Sequence, residues 1–353
     1  MLLFAVFLAL QTPVDSVALV TRDIPNFWRA YDLAAARDGA ERTRIFRTVY
    51  LQPGSPGLRD WMRVRLMNRD TVRARMIASG WTTARLDSLS RDSLERASVP
   101  FTEQSAAEEL LHALRAYSRY YAAVRARTLA VDTNSAIRQG IRQGLAKLAE
   151  LYPAARFPNI YFLIGTLSTG GTTARSGMLI GTEQSASGPD TPLDELPAWA
   201  QKGFPTHRFE SLVGLVVHEA VHTQQKSMPP GQHDTLLRHA LGEGIADFLS
   251  ELAVGPWAAN SPRQIYGRAH EHDVWVDFQD EMDMASDSLI RTWMYNGMVP
   301  PDKNHGAVDI GYWVGYRIAA AYYARAADKR AAVRQLLELR DPVAVLRESG
   351  YAP

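Results

Sequence analysis

The sequence contains no cysteine. Thiolate metal sites, cysteine nucleophiles and disulfide bridges are therefore excluded, and an amino-terminal lipid anchor is not expected, because its attachment needs a cysteine thiol. An excess of charge of one sign is lacking too: Lys and Arg total 39 against 38 Asp and Glu, a net charge of +1. With no long basic run to offset that balance, nucleic acid is not an expected partner. Long apolar runs are also scarce. The stretch from Met1 to Leu10 is uninterrupted but stops at Gln11-Thr12-Pro13, too short to span a bilayer, and no other segment is a better candidate. It has the length of a secretory core without a basic segment before it or a small-x-small cleavage site after it. Residues 1–14 are read as a leader, and the mature chain as soluble, without a stable membrane span, and periplasmic or secreted.

What is present is ample material for a core, with 46% hydrophobic residues in 353. Residues 15–155 read as a helical region. Phe27-Trp28 and Trp61-Met62 carry large apolar side chains at helical spacing, and Leu110, Leu111, Leu114, Tyr117, Tyr121 and Val124 form a core stripe between Ala106 and Ala130. Ile137 to Leu151 is a further amphipathic helix. The character changes after Pro153: Asn159 to Gly165 is β-rich, a Gly/Ser/Thr segment follows, and Met178 to Gly181 reads as a second strand. The two strands are expected to form an antiparallel hairpin with a long connection, whose exposed edge could pair with an extended peptide. The fold class is mainly α with a small antiparallel β-hairpin or sheet (α+β), residues 156–353 forming a catalytic domain.

The chemistry centres on Val216-Val217-His218-Glu219-Ala220-Val221-His222. On a helix His218 and His222 lie one turn apart on one face, so both imidazoles can reach one metal ion. Glu219 sits about 100° further round the axis, beside the metal, where a general base for a metal-activated water belongs. A catalytic zinc has three protein ligands and an open position, so two histidines are not enough. The metzincin pattern would put Gly at Gln225 and His at Met228, and neither is there. The next helix offers Gly242-Glu243-Gly244-Ile245-Ala246-Asp247, with Asp247 one turn beyond Glu243. His239 shares that face and competes as a ligand. Glu243 is favoured because it leaves Asp247 spaced to accept a hydrogen bond from the outer nitrogen of His218. His233 in the turn, and His270 and His272 in an acidic stretch, are weaker candidates. The glycines flanking Glu243 each disfavour a helix by about 1 kcal/mol, which suits a place of close approach.

His218-Glu219-x-x-His222 with Glu243-Gly244-Ile245-Ala246-Asp247 resembles the gluzincin zinc metallopeptidases. Asp23-Ile24-Pro25-Asn26-Phe27-Trp28, Trp293-Met294-Tyr295-Asn296-Gly297 and Gly311 to Ile318 resemble, more narrowly, bacterial predicted zinc-dependent proteases related to gliding-motility lipoproteins of the GldB type. The resemblance implies a zincin-like architecture and one Zn2+ per chain held by His218, His222 and Glu243. It further implies Glu219 as general base and a peptide or protein substrate cleaved by endopeptidase or oligopeptidase action. A Gly-x-Met-Glu-Asn aminopeptidase motif is missing. Such chemistry also uses a hydroxyl or imidazole donor from a later element. Tyr316, on a helix expected over Gly311–Ala327, is the candidate, with Tyr312 and His305 as alternatives. Two other classes share the motif: a non-catalytic envelope-assembly protein with a structural zinc, and a zinc hydrolase of a non-peptide amide.

Overall fold

The computed structural model describes residues 14–65, 102–168, 170–206, 208–229, 232–296 and 305–353. Apart from Val14, the leader lies outside them. The described residues are mainly helical and form two compact units.

The first unit comprises residues 18–65, 102–133 and 159–184. Its core is aromatic. Phe27 meets Trp28, Phe46 and Tyr50 edge to face at centroid distances of 5.0, 5.7 and 5.2 Å, a geometry favoured by the ring quadrupole. Three of its buried polar groups find partners: Trp28 donates to Thr128 at 2.9 Å, Tyr50 to the Ile164 carbonyl at 2.6 Å and Tyr121 to the Gly165 carbonyl at 2.7 Å. The predicted stripe is buried at Leu110, Leu111, Leu114, Tyr121 and Val124. It is carried by two helices, Glu103–Ala116 and Ser118–Thr133, because Tyr117 leaves the helical region at φ −127.

Four strands form one mixed sheet in the order β1 (Leu19–Val20), β2 (Ile160–Leu163), β4 (Gly177–Gly181), β3 (Gly171–Ala174). The expected hairpin between 160–163 and 178–181 is not formed. β2 and β4 run parallel, and the antiparallel hairpin joins β3 to β4 across Arg175-Ser176. The Gly/Ser/Thr segment read as a connection supplies β3 and thereby reverses the chain once more. Gly177, at φ +147, lies where a Cβ would come within 2.2 Å of the Asn159 carbonyl, so only glycine fits.

Glu183, just after β4, is fully buried. Its Oε1 accepts from the Leu167 N–H at 3.1 Å, while Oε2 has no hydrogen-bond partner among the described residues. Burial pushes this carboxyl up to about 7 from its ordinary 4.5, against the backbone donors that favour the anion. Between those two values the folded chain binds more protons than the unfolded one. The stabilisation is therefore complete below the unfolded value and is lost as pH rises through the folded one, by about 3 kcal/mol in all. Glu183→Gln is expected to be more stable than the parent at pH 8 and no more stable at pH 4. Urea unfolding at both values checks this, and an equal difference at the two would sink it.

The second unit comprises residues 14–17, 134–158 and 185–353. Helix Ser135–Leu151 belongs with the later helices because Gly140 and Gly144 bring it against helix Ser211–His222, where an added Cβ would lie 3.1 Å from Val213 and 2.6 Å from Val217. The two central helices are Ser211–His222 (the histidine helix) and Leu236–Val254 (the carboxylate helix). The latter starts at Thr235, whose side chain accepts from the Arg238 N–H, and stops at Gly255 with φ 85. Helix Ile310–Arg325 crosses the carboxylate helix backbone to backbone at Gly315 and Gly244. The loop between the two central helices is tied to a distant stretch: the Lys226 N–H donates to the Leu337 carbonyl at 3.0 Å, Gln232 to Arg340 at 2.6 Å, and the Arg238 guanidinium at the head of the carboxylate helix to Leu339 at 2.9 Å.

Candidate metal centre

The histidine helix is buried at Leu212, Val216, Val217, Ala220 and Val221, so it runs through the interior with little freedom to rotate. Its phase turns His218 and His222 to one side, their Nε2 atoms 3.0 Å apart. Glu243 faces them from the carboxylate helix, with Oε2 at 3.1 Å from His222 Nε2 and 3.4 Å from His218 Nε2. Among the described residues this is the one group of three His, Asp or Glu side chains whose ligand atoms gather so closely, all within 4.8 Å.

Each imidazole is held from behind. Gln225, just past the end of the histidine helix, donates its amide to the Gly242 carbonyl at 2.6 Å, which leaves its oxygen to accept from His222 Nδ1 at 2.8 Å. The proton on Nδ1 then frees the Nε2 lone pair. Asp247 Oδ1 contacts His218 Nδ1 at 2.9 Å, off the straight hydrogen-bond direction, and Oδ2 accepts from Arg263 at 2.9 Å. Arg263, on helix Pro262–Ala269, lies 4.7 Å above the Tyr312 ring. Exposure is graded: Asp247 is 2% exposed, while the side chains of His222 and Glu243 are each 15% exposed, so the ligand atoms lie towards the solvent side.

This donor set fits zinc. Zn–N and Zn–O bonds of about 2.0–2.1 Å in a tetrahedron place neighbouring donors roughly 3.3–3.4 Å apart, and the three separations found are 3.0, 3.1 and 3.4 Å. Two acceptor nitrogens aimed at each other also need a cation between them. Without metal that cation is a proton: burial opposes charge on His218, but Asp247 and Glu243 outweigh it and push the imidazole up to about 10. Glu243 is held well below the usual carboxylate range by the adjoining histidines despite its burial. A metal must therefore displace protons to bind.

A family model described as gliding motility protein GldB matches residues 101–353, a span that contains every residue of the centre. The chain belongs to that family. No curated protein and no solved structure matches. GldB membership points to a cell-envelope association, the coarser part of the expected periplasmic or secreted location, and no helix among the described residues is long and apolar enough to cross a membrane.

Within this GldB-family chain the sequence-predicted residues are placed as follows. His218, His222 and Glu243 converge, with Asp247 behind His218, and Glu219 follows His218 on the same buried helix, 6% exposed. The Tyr316 hydroxyl donates to Glu251 at 2.8 Å, two turns beyond Glu243, because the crossing at Gly315 turns that face along the carboxylate helix. Tyr295 takes the place at the centre, its hydroxyl 3.0 Å from Glu243 Oε1. His239 stays outside the cluster, with Nε2 3.3 Å from Asp234. Tyr312 lies under Arg263, and His305 stacks on Trp293 at 3.8 Å. His270 stacks on Tyr266 and His272 contacts the Pro353 carbonyl. The residues missed from sequence are Gln225, Arg263 and Tyr295. Gln225 carried a usable signal, lying three residues after His222.

Proposed function

We propose that this GldB-family protein is a cell-envelope zinc protein whose centre hydrolyses peptide bonds. The observation that supports this is the convergence of His218 Nε2, His222 Nε2 and Glu243 Oε2, with each imidazole oriented from behind. Three donors are the number that catalytic zinc sites use, whereas structural sites have four. When bound, zinc would supply Lewis-acid polarisation and acidify water towards neutrality. The chain's own residues do the rest. Gln225 and Asp247 keep the Nε2 lone pairs directed inwards, and Arg263 keeps Asp247 in place. Glu219 takes a proton from water and later returns it to the leaving amine. Purified without chelator, the protein should contain about one zinc per chain, and His222→Ala should contain none; elemental analysis checks both. Zinc absent from the parent would count heavily against the proposal. Catalysis is tested by peptide-library cleavage in the parent and in Glu219→Gln.

A second reading is a non-catalytic protein of envelope assembly in which zinc only holds the helices together. The family match favours it, since the family is described by gliding motility and not by an enzymatic activity. Equal background cleavage in the parent and in Glu219→Gln, both zinc-loaded, would establish this reading over the first.

A further inference from the structure

The two oxygens of Glu243 face different neighbours. Oε2 points at the histidine nitrogens, at 3.1 and 3.4 Å, while Oε1 receives the Tyr295 hydroxyl at 3.0 Å. The Tyr295 oxygen in turn lies 3.4 Å from His239 Nδ1, and the far nitrogen of His239 meets Asp234 Oδ2 at 3.3 Å. A line of side chains thus runs from Asp234 through His239 and Tyr295 to one oxygen of Glu243.

Core packing does not account for Tyr295. It is 40% exposed, and its ring meets those of His239 at 5.9 Å and Tyr312 at 6.2 Å edge on. Its backbone sits at φ 56, a left-handed conformation that is unfavourable for a bulky residue. The conformation is fixed by its neighbour: the Asn296 N–H donates to Asp309 at 2.9 Å, the Asp309 N–H returns a bond to Asn296 at 2.7 Å, and the Asn296 amide donates to the Thr292 carbonyl at 2.7 Å. A strained backbone clamped on both sides delivers one exposed hydroxyl to one carboxylate oxygen.

We infer that Tyr295, steadied by His239 and Asp234, is a positioning residue that commits Glu243 to binding metal through Oε2 alone. With Oε1 engaged, the carboxylate offers one donor and leaves a coordination position for water or substrate. The inference rests on the zinc reading, and the test separates the two.

Zinc affinity is measured by competition with a chromogenic chelator for the parent, Tyr295→Phe and His239→Gln, and melting of each metal-free protein is measured alongside. Outer partners of metal ligands are worth about 10–100-fold in affinity. Tyr295→Phe is expected to bind zinc about 10–100-fold more weakly, and His239→Gln several-fold more weakly, with metal-free melting unchanged. Affinity of Tyr295→Phe within twofold of the parent overturns the inference while leaving the zinc reading intact. A folded parent that takes up no zinc overturns both. Should Tyr295→Phe fail to fold, His239→Gln decides, and parental affinity there overturns the inference.

Discussion

Glu219→Gln is expected to retain zinc at the parental level and to lose peptide hydrolysis by about 10²–10⁴-fold, the range that general acid–base groups contribute. The substitution is nearly isosteric and removes only the ability to take up and return a proton. Glu219 is 6% exposed on the buried histidine helix, so a larger change would risk the fold as well as the chemistry. The zinc measurement is the internal control, since it depends on His218, His222 and Glu243, which the variant leaves in place. Retained zinc with undiminished cleavage would show that the cleavage measured does not come from this centre.

Gly315→Ala should destabilise the second unit by about 2–3 kcal/mol or more, and weaken zinc binding with it. A Cβ there would stand 1.8 Å from the Ala240 carbonyl oxygen, and the reciprocal position, Gly244, would meet the Gly315 carbonyl carbon at 2.1 Å. Both obstacles are backbone, which cannot change rotamer, so the helices must separate. Glu243 precedes Gly244 directly and would move with the carboxylate helix. Gly242 supplies the contrast. Among the described residues outside its own helical turn nothing lies within 4 Å of its added Cβ, so Gly242→Ala should be neutral or stabilising by up to about 1 kcal/mol. Denaturant unfolding of the pair gives opposite signs if the crossing is what sets the spacing, and a Gly315→Ala protein as stable as its parent would refute it.

The part of the site that was legible in the sequence is the part that obeys helical periodicity. His218 and His222, and Glu243 and Asp247, are each one turn apart on single helices, so spacing translates into direction. Tyr295 lies in irregular backbone at positive φ, where no period says which way a side chain points. Gln225 was read as the absence of a glycine, although its amide bridges the two ligand helices. For Tyr316, residue order carries no information on how helix Ile310–Arg325 is rotated. That rotation is decided by a glycine contact with another helix. The fold followed the same rule. Element types were readable from pattern, but the parallel pairing of β2 with β4 and the placement of helix Ser135–Leu151 in the second unit depend on long-range partners.

The loop between the histidine and carboxylate helices takes its hydrogen-bond partners from residues 337–340, across sequence separations of 101 and 108 for Arg238 and Gln232. Contacts that close such long chain segments carry a loop entropy that local helix formation does not, and they slow folding. The two ligand helices can therefore form early, while the distance between them is settled late, when the distant stretch docks. Metal capture during refolding should accordingly trail the gain of helical signal, so that zinc uptake reports the last step of assembly.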